Sequence, residues 1–359
     1  MVSTAVVTGP FADAEGRLPL PWLAPTLAEA LGQPGHALLV VGAAGQGVLA
    51  LQMTVAQAWL CESDAGSSRP CGHCASCHLV RVGSHPDLSV LLPETLQPLL
   101  GWPAAATEVA DGAAKRKPSR QIRIDAVRAA CDWIVKTNSR GRAKVLVVHP
   151  AQAMNPQSAN ALLKTLEEPP AGARLLLSCD DVQALLPTVR SRCQQLRMPP
   201  PETPQALAWL GAQGLPGEAA ATLLAACGGR PLEALAMSEG GIDGSAWAAL
   251  PRAVAQGQAS ALGGWGLAQA IDALQKLCHD AMRQTVGGEP AFFPPGSVPA
   301  GARLERLSEF SARLARAARV DEHPFNEALQ IEALVARAHA VWARDPVSPA
   351  PRRPATLAR

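Results

Sequence analysis

The N-terminal part of the chain alternates short unbroken apolar runs with longer stretches in which apolar and polar positions mix. Ala37-Leu38-Leu39-Val40-Val41 and Val145-Leu146-Val147-Val148 are apolar throughout. Runs this short, bounded by turn formers, fit strands covered on both faces, as in a parallel sheet. The pattern predicts strands at 36–41, 87–92, 144–149 and 174–179, and helices at 22–33, 48–61, 122–137 and 155–168. Strand and helix alternate with short connections, so the segment reads as an α/β domain with a largely parallel sheet. Residues 101–120 lack apolar periodicity and predict a flexible surface loop.

The pattern changes after Met198. Pro199-Pro200-Pro201 opens a region without strand-like runs. Residues 202–240 predict short helices separated by Gly-rich turns, and 246–287 and 301–343 predict longer ones, split by the Gly/Pro-rich stretch 287–301. The expected division is an α/β domain at 1–198, a small helical domain at 199–244, an all-α domain at 245–344, and a disordered Pro- and Arg-rich tail at 345–359.

Composition narrows the function classes. With 359 residues, 48% hydrophobic and 17% charged, the chain can bury real cores, which excludes wholesale disorder. No apolar stretch approaches the roughly 18–20 residues that span a bilayer, so no membrane role is expected. The N-terminus lacks a basic region followed by an apolar core, so a cytoplasmic protein without a secretory leader is expected. A net charge of +2 is no footprint for autonomous DNA binding, and Lys115-Arg116-Lys117 reads as a solvated tether. Nine cysteines in such a chain point to metal or buried thiols rather than disulfides.

The turn Gly42-Ala43-Ala44-Gly45-Gln46-Gly47 follows a strand and opens a helix, where a phosphate loop presents backbone N–H groups. The full loop continues with Lys for the β/γ-phosphates and Ser/Thr for Mg²⁺, but Val48 and Leu49 stand there. The strand at 144–148 sits where a Walker B strand would, yet ends in His149-Pro150 instead of acidic residues. Three defects in two motifs predict a nucleotide fold without nucleotide chemistry, so no functional ATP site is expected. Two other readings compete. Gly45-x-Gly47-x-x-Ala50 with Glu62 or Asp64 matches a dinucleotide fingerprint, and the turn is also explained by tight geometry with no ligand.

Cys71-x-x-Cys74-x-x-Cys77, preceded by Cys61, offers four thiolates with short spacers, which suits a tetrahedral structural Zn²⁺. His73 and His78 are spare donors, either of which could replace Cys61. Free thiols or an iron–sulfur cluster are the alternatives. A closed Cys₄ site leaves no open position for catalysis.

The zinc-type cysteines after the first helix are followed in order by three further motifs. These are His85-Pro86-Asp87, Ala161-Leu162-Leu163-Lys164-Thr165-Leu166-Glu167-Glu168-Pro169-Pro170, and Ser191-Arg192-Cys193. Together they resemble the bacterial clamp-loader family of AAA+ proteins over residues 36–200. The resemblance implies an AAA+ module, a small lid and a collar. It also implies assembly with motor (gamma or tau) and delta subunits as a hetero-pentamer within the DNA polymerase III holoenzyme. That assembly uses ATP to open the sliding clamp and close it on primed DNA. With its broken loop, this chain is expected to be non-catalytic alone and to supply Arg192 as a trans arginine finger, with Arg190 as the near alternative. Leu232, in Gly229-Arg230-Pro231-Leu232, stands where ATP-binding relatives carry a phosphate-sensing arginine. Glu167 and Glu168 are expected near a helix end, either facing a neighbour or as a solvated cap. The rival within the family is an active motor-type ATPase, which would need Lys, Thr or Ser, and Asp at Val48, Leu49 and His149. A zinc-dependent nucleic-acid-binding protein is the rival outside it.

Overall fold

The computed structural model describes residues 9–64, 69–102, 118–318 and 326–343. The Lys115-Arg116-Lys117 run and the 345–359 tail lie outside the described residues. Along the first part of the chain the elements run α1 (Ala24–Gly32), β1 (Ala37–Val41), α2 (Val48–Leu60), α3 (Ala75–Arg81), β2 (Leu88–Leu91), α4 (Ile124–Ile134) and β3 (Lys144–Val148). They continue with α5 (Pro156–Glu167), β4 (Ala173–Cys179), α6 (Pro187–Arg190) and β5 (Gln194–Arg197). The five strands form one parallel sheet in the order β2-β3-β4-β1-β5.

Strand alternation feeds two cores. Leu38, Val40, Val145, Val147, Leu176 and Leu196 face one cluster with α1 and α2. Ala37, Leu39, Leu146, Val148, Leu175 and Leu177 face the other, with α4 and α5. Burial on both faces is why these strands read as continuous apolar runs. Helix α2 is mostly apolar and buried on every side, as a helix enclosed by protein is, and only Trp59 in it is partly exposed. Its polar residues are held inside: Gln52 Nε2 donates to Leu176 O at 3.1 Å, and Thr54 Oγ1 to Ala50 O at 2.7 Å.

The chain then runs through α7 (Thr203–Ala212), α8 (Gly217–Ala226), α9 (Pro231–Glu239), α10 (Gly244–Ala255), α11 (Leu267–Thr285), α12 (Leu304–Ala317) and α13 (Glu327–Trp342). Two compact units result. The first comprises the described residues to Gly217 plus Gly229–Gly240, and so takes α7 and α9 with the sheet. The second takes Glu218–Gly228 and the described residues from Gly241, and so groups most of α8 with the later helices. In the first unit Trp209 of α7 packs edge-on against Trp22, with ring centroids 5.5 Å apart. In the second, the fully buried Trp247 stacks on Phe293 at 4.6 Å. There the buried Asp280 accepts N–H bonds from Ala291, Phe292 and Phe293, which pins the Gly/Pro-rich connection to α11.

The longer helices expected within 246–287 and 301–343 form as α10 and α11 and as α12 and α13. Gly257 and the Gly263-Gly264-Trp265-Gly266 run separate α10 from α11, consistent with the cost of glycine in helices. Strand β5, helix α3 and helix α6 were not expected. β5 has only Leu196 buried among Gln194, Gln195 and Arg197, the mark of an edge strand that carries no apolar run.

Candidate functional site

Strand β1 lies between β4 and β5, although the chain leaves it toward β2 on the far side of the sheet. Connections therefore diverge at the carboxyl ends of β1 and β4, where a crevice opens in sheets of this kind. A pocket of about 260 Å³ occupies it. Its walls include Gly42, Gly45, Gly47, Val48 and Leu49, His149 after β3, Ser178 and Asp180 at the end of β4, and Leu232 of α9.

The glycine turn is closed onto its surroundings. Gly45 and Gly47 have φ of 81° and 99°, the left-handed region that side chains avoid. A Cβ on Gly45 would lie 2.6 Å from Glu233 Cγ, and one on Gly47 would overlap Leu20. Leu232 N–H donates to Gly45 O at 3.1 Å, fastening α9 to the turn. Trp22 Nε1 donates to Gln46 O at 2.7 Å. Ala43 N–H donates to Gln46 Oε1 at 3.2 Å, and Gln46 N–H to Ala43 O at 3.3 Å. Two N–H groups that a phosphate loop would aim at its ligand are thus engaged inside the turn. Val48 and Leu49 are buried and bring neither a cation nor a hydroxyl. The dinucleotide reading loses its geometry, because β2 does not pair with β1 and Glu62 lies beside the cysteines.

His149 shares a 2.7 Å hydrogen bond between Nδ1 and Ser178 Oγ, and burial pushes its pKa down to about 4. Between about pH 6.5 and 4 the unfolded chain binds a proton that the folded chain refuses. Stability therefore falls as the pH drops through that window, by up to ~3 kcal/mol from this group. Thermal melts from pH 7 to pH 4.5 are expected to show this loss, and His149→Asn to flatten the slope. An identical slope in the variant would assign the loss to other groups.

A second cluster lies at the end of α2. The Sγ atoms of Cys61, Cys71, Cys74 and Cys77 all lie within 4.8 Å of one another. Cys71–Cys77 and Cys61–Cys74 are each separated by 4.0 Å. A tetrahedral ion with metal–sulfur bonds of about 2.3 Å has sulfur–sulfur edges of about 3.8 Å, so this donor set could hold a metal ion. Backbone N–H groups of Cys71, Cys74 and Cys77 donate to Cys61, Cys71 and Cys74 sulfurs, each at 3.4 Å. Burial raises the Cys61 and Cys77 thiols, and at Cys71 it is outweighed by N–H donors from Cys74 and His73, which bring that thiol to about 6. His73 Nδ1 bonds Cys71 O at 2.8 Å, which engages one of the two spare histidines.

Beneath the cysteines runs a polar network whose roles the sequence reading left unassigned. Ser76 of α3 donates to Glu62 Oε1 at 3.0 Å, and His85 Nε2 meets Ser76 Oγ at 3.0 Å. Arg140 Nη2 pairs with Glu62 Oε1 at 2.6 Å and holds that carboxyl below the usual carboxylate range. Asp87, fully buried, accepts the Ser139 and Arg140 N–H groups at 2.8–3.0 Å, with Lys144 Nζ 3.6 Å away. His85-Pro86-Asp87 thus ties the cysteine module to β2 and to the turn before β3. The signal was a His and an Asp flanking a proline at a strand start, which spacing alone does not decode.

Arg192 sits just after α6. Its Nη2 pairs with Glu167 Oε1 at 2.5 Å, and its Nη1 donates to Thr188 O at 2.8 Å and Ser191 Oγ at 3.3 Å. Arg190 Nη1 instead donates to Gln183 Oε1 at 3.1 Å. Cys193 is buried, its thiol pushed up to about 12 by burial. Glu167 ends α5 and Glu168 is its cap residue.

Comparison with known proteins sets these features in context. The family described as "DNA polymerase III, delta subunit" matches residues 26–202. DNA polymerase III subunit delta' of Pseudomonas aeruginosa is 40% identical over 205 residues, 56% of this chain and 55% of its own length. The delta' subunit of Escherichia coli is 33% identical over 226 residues, 61% of each chain. DNA polymerase III subunit tau of Salmonella typhimurium is 31% identical over 168 residues, 47% of this chain and 22% of that one. The match therefore covers 55% and 61% of the length of these two delta' relatives.

Proposed function

This chain is a relative of the bacterial DNA polymerase III delta' subunits, its residues 26–202 belonging to the DNA polymerase III delta-subunit family, and on that footing we propose that it is a non-hydrolysing delta' member of a clamp loader. In this reading it joins motor (gamma or tau) and delta subunits in a cytoplasmic hetero-pentamer that loads the sliding clamp on primed DNA. It completes a neighbour's ATP site with Arg192. Residues 1–198 act as the AAA+ module, 199–244 as the lid and 245–344 as the collar through which subunits assemble. Cys61, Cys71, Cys74 and Cys77 hold a structural Zn²⁺, which shapes the knuckle and supplies no reaction step.

One observation carries the non-hydrolysing part: the glycine turn is fastened to α9 and carries Val48 and Leu49 where cation and hydroxyl belong, with His149 opposite. Charge neutralisation and metal positioning are the core of phosphoryl transfer, and none of these three side chains supplies either. Among the described residues no helix is long and apolar enough to cross a membrane. The motor-type reading draws on the tau and gamma relatives but requires chemistry those positions lack.

The test is nucleotide binding. Calorimetric titration of the chain with Mg-ATP is expected to show no affinity tighter than about 1 mM, or ~−4 kcal/mol. Micromolar binding with turnover by the chain alone would overturn the reading in favour of the motor type. Val48→Lys with Leu49→Thr is expected not to restore binding, because His149 and the closed turn remain.

A further inference from the structure

The carboxylate that meets Arg192 stands where helix electrostatics disfavour it. Glu167 is the last residue of α5, and the C-terminal end of a helix carries partial negative charge. Stability does not explain the placement: the two side chains are 33% and 47% exposed, and pairs this open contribute little. What the pair does is fix a long side chain. Arg192 Nη2 is held by Glu167 from α5, while Nη1 is held by Thr188 O and Ser191 Oγ from the α6 segment. Those contacts use three of the five guanidinium N–H groups, which leaves two for an incoming phosphoryl oxygen. Arg190, by contrast, bonds a single side-chain amide.

We infer that Glu167 is a positioning residue for Arg192, holding the guanidinium in the rotamer that a neighbour's γ-phosphoryl group requires. The inference rests on the finger reading above. A preorganised charge acts in the transition state without rearranging at the moment of reaction, whereas a free arginine must be ordered first. The carboxylate also gives the Leu-Glu-Glu-Pro-Pro segment a chemical task within this chain: Pro169 and Pro170 end α5 where Glu167 reaches Arg192.

The experiment measures ATP turnover of the loader reconstituted with motor and delta subunits, clamp and primed DNA. It compares wild type, Glu167→Ala, Glu167→Gln, Arg192→Ala and the Glu167→Ala/Arg192→Ala double variant. Glu167→Ala is expected to lower kcat about tenfold with KM for ATP within about twofold, as small misplacements of catalytic groups do. Glu167→Gln, which keeps an acceptor oxygen, is expected to recover most of the rate. The double variant is expected to be no slower than Arg192→Ala, because both act through one guanidinium. Should Glu167→Ala fail to assemble, Glu167→Asp takes its place; its shorter reach is expected to lower kcat in a complex of normal size by gel filtration. Unchanged kcat in Glu167→Ala, or in Glu167→Asp where it stands in, while Arg192→Ala falls, overturns the positioning role and spares the finger. Multiplying losses in the double variant do the same. No loss in Arg192→Ala removes the finger and this inference together.

Discussion

ATP turnover of a reconstituted clamp loader is expected to fall at least tenfold when this chain carries Arg192→Ala, with the complex still assembled. The physical basis is the charge that spreads over the γ-phosphoryl oxygens in the transition state, which a guanidinium supplied from outside the site can stabilise. Such arginines are worth about 10³–10⁵ in rate in other phosphoryl-transfer systems. On the proposed reading this chain completes a single motor site, so the loss is smaller than that range. It reaches tenfold because the motor sites fire as one coupled cycle, whereas independent sites would lose no more than this one's share. The side chain is partly exposed and carries permanent charge in a planar fork, as this role requires. Arg192→Lys is expected to recover little, since an ammonium offers a point charge without the fork. Assembly is followed by gel filtration and turnover by phosphate release under saturating clamp and primed DNA. Unchanged turnover would reduce Arg192 to a partner for Glu167, and the same assay on Arg190→Ala would then decide whether the finger lies there.

How far the sequence carried this reading depends on how local each signal was. The strands of the central sheet were legible because burial on both faces leaves an unbroken apolar run, as at Leu38–Val40 and Val145–Val148. Strand β5 was not, because one buried leucine among polar residues has no periodicity to detect. The cysteines were legible by spacing. The network that supports them was not, since Glu62, Ser76, His85, Asp87 and Arg140 are scattered along the chain and meet only after the sheet forms. The defects at Val48, Leu49 and His149 could be read residue by residue, but the closure of α9 onto Gly45 is a tertiary fact. The pairing of Arg192 with Glu167 is likewise hidden from spacing. It joins two motifs, each visible in the sequence, that the packing of α5 against α6 brings together.

Removal of metal from the four cysteines is expected to have the largest effect on stability. Purified chain should carry one equivalent of zinc, released by a thiol-modifying reagent and read with a chromogenic chelator. In isolated zinc fingers the metal supplies apparent folding energies of about 10–16 kcal/mol. Here the sheet has its own two cores, so the loss is confined to what the knuckle supports. Without the cation, Cys71–Cys77 and Cys61–Cys74, each 4.0 Å apart, are left with only weak S–H contacts to hold the knuckle. Displacement of α3 would then carry Ser76 off Glu62 and His85. Buried polar groups left without partners cost about 1–3 kcal/mol each. Two or three such losses lower Tm by about 10 °C or more in a domain of this size, at roughly 2–4 °C per kcal/mol. Cys77→Ser should reproduce the effect of chelation, because it removes a wholly buried ligand. Hydrogen exchange should then rise in α3 and in the edge strand β2, which the network reaches, and stay slow in β1 and β4 at the centre of the sheet. A chain that binds no metal, or whose Tm is indifferent to chelation, would make the four cysteines a cluster of buried thiols and leave the network to hold α3 unaided.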